Sequence, residues 1–229
     1  SNPTVAVVVF RGTVITEPKN IFADLDIRLT DLTPVEGLDC TGCQVHNGFY
    51  QAFGKLQQKI FAQLAQFLKK KIDSNAVTEV NFTGHSLGGA LATIGCYELS
   101  NWLKTVKVGI VTFGAPRVGN AAFKKVFDTK LNLKINARIT YNKDPVPTVP
   151  FTDKFAHCGT EYNFADKDNF TGKNYLKDET LSAPTTTSAL KEFANASDHS
   201  QYKTITEAKI KEVIQDNHTH IVSDMVKRK

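Results

Sequence analysis

Apolar residues follow two rhythms along the chain. Val5-Ala6-Val7-Val8-Val9-Phe10 is an unbroken apolar run, largely β-branched, as a strand buried on both faces of a mainly parallel sheet requires. From Asn47 to about Asp73 the period changes. Phe49, Phe53, Leu56, Ile60, Phe61, Leu64, Phe67, Leu68 and Ile72 recur at helical spacing, which predicts one amphipathic helix. A strand follows at Glu79–Thr83, a helix from Ser86 to about Leu103, a strand at Lys107–Phe113, a helix near Asn120–Lys130 and a strand at Lys134–Tyr141. Strand and helix alternating at these lengths predict an α/β class, three-layer domain with a mainly parallel central sheet flanked by helices.

Beyond Asp144 the pattern loosens. Pro145, Pro147 and Pro150 fall close together, polar loops run through Ser182–Ser188, and a last amphipathic helix is expected between Thr206 and about Asp216, carrying Ile210, Val213 and Ile214. No stretch reads as an interdomain linker and no internal repeat is visible, so residues 1–229 are expected to form a single domain.

Composition narrows the class. The 229 residues are 41% hydrophobic and 22% charged, which is ordinary globular usage. No apolar run approaches the ~20 residues of a membrane-spanning helix, and the first twenty residues lack the apolar core of a signal peptide, so any such peptide is expected to have been removed. The net charge of +5 is scattered except at Lys69-Lys70-Lys71 and Lys227-Arg228-Lys229, which argues against nucleic acid as a partner. Four cysteines are too few to build a disulfide scaffold. Cys40-Thr41-Gly42-Cys43 could be a redox pair, half a metal site or a tight disulfide loop. With no second Cys-x-x-Cys and no His-x-x-x-His, metal is discounted. The preceding loop argues against a redox helix, so a local disulfide is the preferred reading of the three, and it points to an oxidising compartment. Cys96 and Cys158 read as buried thiols.

Gly84-His85-Ser86-Leu87-Gly88 fits Gly-x-Ser-x-Gly at the point where a strand hands over to a helix. The glycines are needed because the serine occupies a strained turn and side chains two residues either side would collide with neighbouring elements. Ser86 is thus the candidate nucleophile, at a helix N-terminus whose dipole favours a developing oxyanion. A serine needs a base and an orienting carboxylate, in the order Ser, Asp, His. Asp144, just past the strand ending at Tyr141, is the candidate acid, ahead of Asp128 and Asp153. His199, in a loop before a segment able to pack on the core, is the candidate base. His157 reads as a hydrogen-bonded structural histidine, His218 and His220 lie near a terminus, and His46 and His85 precede the acid. The N–H of Leu87 and that of Thr13, after the first strand, are the candidate oxyanion donors.

Val8-Val9-Phe10-Arg11-Gly12-Thr13, Val45-His46-Asn47-Gly48-Phe49, Gly84 to Ala90, Thr112-Phe113-Gly114-Ala115-Pro116-Arg117-Val118-Gly119-Asn120 and Asn142-Lys143-Asp144-Pro145-Val146-Pro147 together resemble the class 3, fungal-type lipases. The match runs in order from about Val5 to Tyr202. The resemblance implies an α/β-hydrolase fold, the Ser86, Asp144, His199 triad with Thr13 as oxyanion residue, and a Cys40–Cys43 disulfide like the short loop of secreted members. It places a lid at about residues 14–22, a segment that here contains Pro18 and no tryptophan. It also implies a trimmed or shortened member, since the family carries further chain before the first strand found here.

The expected activity is therefore that of a secreted, monomeric serine ester hydrolase, a triacylglycerol lipase that cleaves acylglycerol esters through the triad and an acyl-enzyme, with peripheral contact at a lipid interface and no metal or organic cofactor. A feruloyl-type carboxylesterase, whose family shares a very similar Cys-x-Gly-Cys-x-Val-His-x-Gly segment, is the first alternative. A catalytically silent binding module on the same fold is the second. Asn81, Asn169, Asn195 and Asn217 head N-glycosylation sequons; Asn81 lies in a predicted core strand and is expected to be unmodified.

Overall fold

The computed structural model describes residues 4–12, 27–56, 60–167, 169–174, 193–205 and 207–214. The elements are β1 (Val5–Phe10), β2 (Leu29–Asp31), β3 (Gln44–His46), α1 (Asn47–Leu56), α2 (Ala62–Asp73), β4 (Glu79–His85), α3 (Leu87–Leu99), β5 (Lys107–Phe113), α4 (Ala121–Lys130), β6 (Ile135–Tyr141), β7 (Thr160–Phe164), β8 (Phe170–Asn174) and α5 (Glu207–Ile214). Short 3-10 segments lie at Val146–Thr148 and Phe193–Thr204.

The main sheet runs β1-β4-β5-β6-β7-β8, parallel throughout except for the antiparallel β7–β8 pair. The small antiparallel sheet pairs β2 with β3. Strand alternation divides the core. Val108 and Ile110 of β5 join Val80, Phe82, Phe10, Phe53, Ile94 and Phe123 in one cluster. Val111 and Phe113, pointing the other way, join Ile135, Ile139, Phe164, Tyr202, Ile205 and Ile210 in a second. The second cluster is what draws the 3-10 segment and α5 against the sheet, by burying large apolar side chains worth roughly 1.5–3 kcal/mol each.

Two local differences from the sequence pattern stand out. Of the helix expected from Asn47 to Asp73, the described residues form α1 and α2, with a π-helical turn at residues 60–61 leading into α2. Phe61 is buried while Ile60, the adjacent position round the helix, is 62% exposed. The hairpin β7–β8 replaces expected loop: five-residue strands rich in polar residues carry too short an alternation to read.

Cys40 and Cys43 are disulfide-bonded, with Cα atoms 5.2 Å apart. Asn120, the N-cap of α4, ties this loop down: its Oδ1 accepts from the N–H of Phe123 at 2.9 Å and its Nδ2 donates to the carbonyl of Gly42 at 2.8 Å. Cys96 and Cys158 are free and buried. Among the described residues, no helix is long and apolar enough to cross a membrane.

Candidate active site

The turns at the carboxyl ends of the parallel strands β4 and β6, where open α/β sheets place their sites, converge with the 3-10 segment at Phe193–Thr204. Ser86 sits between β4 and α3 with φ 59° and ψ −131°, a left-handed backbone that a serine adopts only when its surroundings force it. Its N–H donates to the carbonyl of Phe113 at 2.9 Å. The flanking glycines make the turn possible. A Cβ on Gly84 would lie 2.2 Å from the carbonyl oxygen of Gly88, and one on Gly88 would lie 2.2 Å from that of Phe10. Leu87 opens α3, where the first N–H groups of a helix have no intrahelical acceptor.

β6 delivers Asp144. After Tyr141 the chain turns through Asn142, at φ 43°, and the N–H of Asp144 returns to the carbonyl of Tyr141 at 2.9 Å. The carboxylate is fully engaged. Its Oδ1 accepts from the N–H of Val146 at 2.9 Å; its Oδ2 accepts from Nδ1 of His199 at 2.9 Å and from the hydroxyl of Tyr202 at 2.6 Å. Accepting at Nδ1–H fixes the neutral tautomer of His199, leaving Nε2 as the basic nitrogen. That Nε2 is buried and has no hydrogen-bond partner among the described residues. Ser86, Asp144 and His199 are 2%, 6% and 4% exposed, so charge forming among them is poorly screened.

Several contacts hold the segment that carries His199. Asp198 accepts from Nδ2 of Asn142 at 3.0 Å and from the N–H of Lys143 at 3.4 Å. The hydroxyl of Tyr202 also accepts from the N–H of Tyr141 at 3.1 Å. Burial, then the negative charge of Asp144, push the Tyr202 hydroxyl well above its ordinary pKa, so it remains a donor. Gly114, at φ 52°, is required here because a Cβ would stand 2.8 Å from the Tyr202 ring and 2.9 Å from Oδ2 of Asp144.

His85 also belongs to this group. Its Nε2–H donates to the carbonyl of His199 at 2.8 Å, and the two rings stack with centroids 4.4 Å apart at 29°. Burial lowers its pKa from 6.5 to about 4, helped by repulsion from His199. Sequence order set His85 aside, and Tyr202 was not among the candidates. The signal that could have found Tyr202 is its place one 3-10 turn after His199.

The other candidates lie elsewhere. Nε2 of His157 donates to the carbonyl of Pro147 at 2.6 Å, a structural role. His46 stacks on Phe49 with centroids 3.9 Å apart, away from the carboxylate. Asp128 accepts from the N–H of Gly159 at 2.8 Å and pairs with Lys124 at 2.8 Å. Asp153 accepts from its neighbour Thr152 at 3.3 Å. Thr13, residues 14–22 where a lid was expected, His218 and His220 lie outside the described residues. Among the described residues, no group of His, Cys, Asp and Glu could hold a metal ion.

The serine of the strand-to-helix turn and the carboxylate-held histidine belong to a chain whose family comparison with known proteins decides. Residues 7–154 fit the family described as lipase (class 3). The chain belongs to the class 3 lipases. Over 179 residues it is 32% identical to secreted mono- and diacylglycerol lipase 2 of Gibberella zeae, covering 68% of this chain and 42% of that one. It is 30% identical over 200 residues to a lipase of Rhizomucor miehei, covering 85% and 51%. The crystal structure of a lipase from Rhizopus microsporus var. chinensis superposes with a TM-score of 0.65 at 27% identity, covering 87% of this chain and 65% of that one. The chain thus spans about half the length of these curated relatives, and its fold is that of the α/β-hydrolase lipases.

Proposed function

We propose that this chain forms a single catalytic domain of a secreted serine ester hydrolase acting on acylglycerols. The observation that carries the reading is the pairing of Nδ1 of His199 with Asp144 at 2.9 Å, which leaves a buried, unpartnered Nε2 for the proton of Ser86. In this mechanism Ser86 Oγ attacks the ester carbonyl while His199 Nε2 removes its proton. Asp144 stabilises the imidazolium. The oxyanion is held by the N–H of Leu87 at the start of α3, with Thr13 as the second donor. His199 then protonates the departing alcohol, and water hydrolyses the acyl-enzyme by the reverse sequence of proton transfers. No step calls for a cofactor.

Secretion is supported by the Cys40–Cys43 disulfide and by relatives named as secreted lipases. The substrate class is supported by the names of those relatives, mono- and diacylglycerol lipases, and the domain is expected to work as a monomer that touches lipid only peripherally. The test is hydrolysis of a long-chain triacylglycerol emulsion beside a soluble short-chain ester and methyl ferulate, with Ser86→Ala as control. Emulsion turnover that vanishes in the variant is expected. Turnover of ferulate or soluble esters alone would replace acylglycerols by a feruloyl-type substrate, and silence toward all three would reject the enzymatic reading.

A further inference from the structure

Within the nucleophile motif, the residue before the serine makes a contact the triad chemistry does not use. We propose that His85 is a positioning residue for the base: its Nε2–H, donated to the carbonyl of His199 at 2.8 Å, pins the backbone of the histidine to the strand that presents Ser86. The proposal rests on the roles assigned above to Ser86 and His199.

The geometry carries it. His85 is the last residue of β4, in register with Phe113 of β5, so its position is set by the most buried part of the sheet. His199 comes from a 3-10 segment 114 residues further on, a conformation with weaker hydrogen-bond geometry than an α-helix. A segment of that kind needs anchors, and each has a distinct task. Asp198 ties it to the turn after β6, Tyr202 ties it to Asp144 and Tyr141, and His85 alone among these reaches it from the strand bearing the nucleophile. The bond to Asp144 restrains the imidazole at Nδ1 only. Rotation about that bond would still swing Nε2 relative to Ser86. Fixing the carbonyl of His199 and covering one face of its ring removes that freedom.

The protonation state agrees with the task. The groups facing His85 are His199, stacked on it, Tyr202, with ring centroid 5.3 Å away, and the charge of Asp144. Burial keeps the ring neutral down to about pH 4, so its Nε2–H can donate to a carbonyl while the ring adds no positive charge beside an imidazolium forming on His199. Permanent protonation would oppose that charge at a distance of 4.4 Å.

Two substitutions separate donor from ring. His85→Gln carries an amide nitrogen at about the reach of Nε2 and keeps the donor; His85→Phe keeps the stacked ring and loses the donor. On a soluble ester, the Phe variant is expected to lose about tenfold in kcat with KM within about twofold, the size of effect that follows from one mispositioned hydrogen-bonded group. The Gln variant should recover kcat to within about threefold of the parent. Fluorophosphonate labelling of Ser86, read by intact mass, should slow in parallel with kcat. Thermal unfolding of both variants is measured alongside, and rates are referred to the folded fraction. Equal kcat in Phe, Gln and parent would overturn the proposal, as would an equal loss in both variants, or a loss confined to KM. If the parent itself neither labels at Ser86 nor turns over ester, the triad reading fails instead, which is a separate outcome.

Discussion

Tyr202 donates its hydroxyl hydrogen to Oδ2 of Asp144 at 2.6 Å, the same oxygen that accepts from Nδ1 of His199 at 2.9 Å. One carboxylate oxygen is therefore shared by two donors three residues apart on one 3-10 segment. Geometry, more than charge, is what the phenol supplies, because its high pKa keeps it neutral. Tyr202→Phe is expected to lower kcat by about tenfold with little change in KM, since a hydrogen bond to a charged group is worth roughly 1.5–3 kcal/mol and only part is felt in the transition state. A KM increase at constant kcat would show that the phenol acts on substrate binding instead.

The nucleophile turn should tolerate no side chain at Gly88. An alanine Cβ would lie 2.2 Å from the carbonyl oxygen of Phe10 and 2.8 Å from the nitrogen of Gly12, both backbone atoms that no rotamer change can move. Gly88→Ala is expected to cost about 3 kcal/mol or more, or to abolish soluble expression. Gly54 in α1, where a Cβ meets nothing within 4 Å, is the contrast. Gly54→Ala should stabilise by roughly 0.5–1 kcal/mol in denaturant unfolding. Equal midpoints for the two variants would contradict the close-packing account of the turn.

Acid sensitivity follows from His157. Burial first, then the charges of Arg138 and Arg117, hold its pKa well below the ordinary 6.5. The unfolded chain thus takes up the proton before the folded one does. Stability present above pH 6.5 is lost as the pH falls toward the folded value. His85, lowered to about 4, acts in the same direction and over the window from 6.5 to about 4. Thermal midpoints measured from pH 7.5 to pH 4 should therefore fall, and should fall less steeply in His157→Gln, which keeps a donor for the carbonyl of Pro147. Identical slopes for the two proteins would remove His157 from the account.

Of the sequons, Asn169 is exposed beside the β7–β8 turn, with its Nδ2 2.6 Å from Oδ2 of Asp166. Asn81 is fully buried in β4 and donates to Glu79 at 2.8 Å. Expression through a eukaryotic secretory pathway is expected to place a glycan on Asn169 and none on Asn81. Peptide mapping after enzymatic deglycosylation reads both positions, and a glycan on Asn81 or bare Asn169 would reverse the assignment.

Much of this architecture could be read from local pattern. The alternation from Val5 to Tyr141 and the strand-to-helix setting of Ser86 are of this kind. The burial of Val5–Phe10 on both faces could not be: among the described strands this one is at the edge of the main sheet, with Val9 41% exposed. The π-turn at residues 60–61 was not legible, since both Ile60 and Phe61 fit an apolar stripe and only packing decides which faces inward. The β7–β8 hairpin was not legible either. The polar residues of β7 gain strand conformation from pairing with β6, a partner about two dozen residues away, and β8 then pairs with β7.

For the site, the chain by itself determined a serine between glycines at a helix start, with an aspartate after a strand and several histidines beyond it. Only the tertiary structure decided which groups touch: His199 is brought 2.9 Å from Asp144 across 55 residues, while His157, nearer in sequence, is turned to the carbonyl of Pro147. Tyr202 and His85 show why. Each acts through a partner more than fifty residues distant, and such contacts arise when Tyr202, Ile205 and Ile210 are buried against the sheet, a consequence of the whole core that no local spacing records.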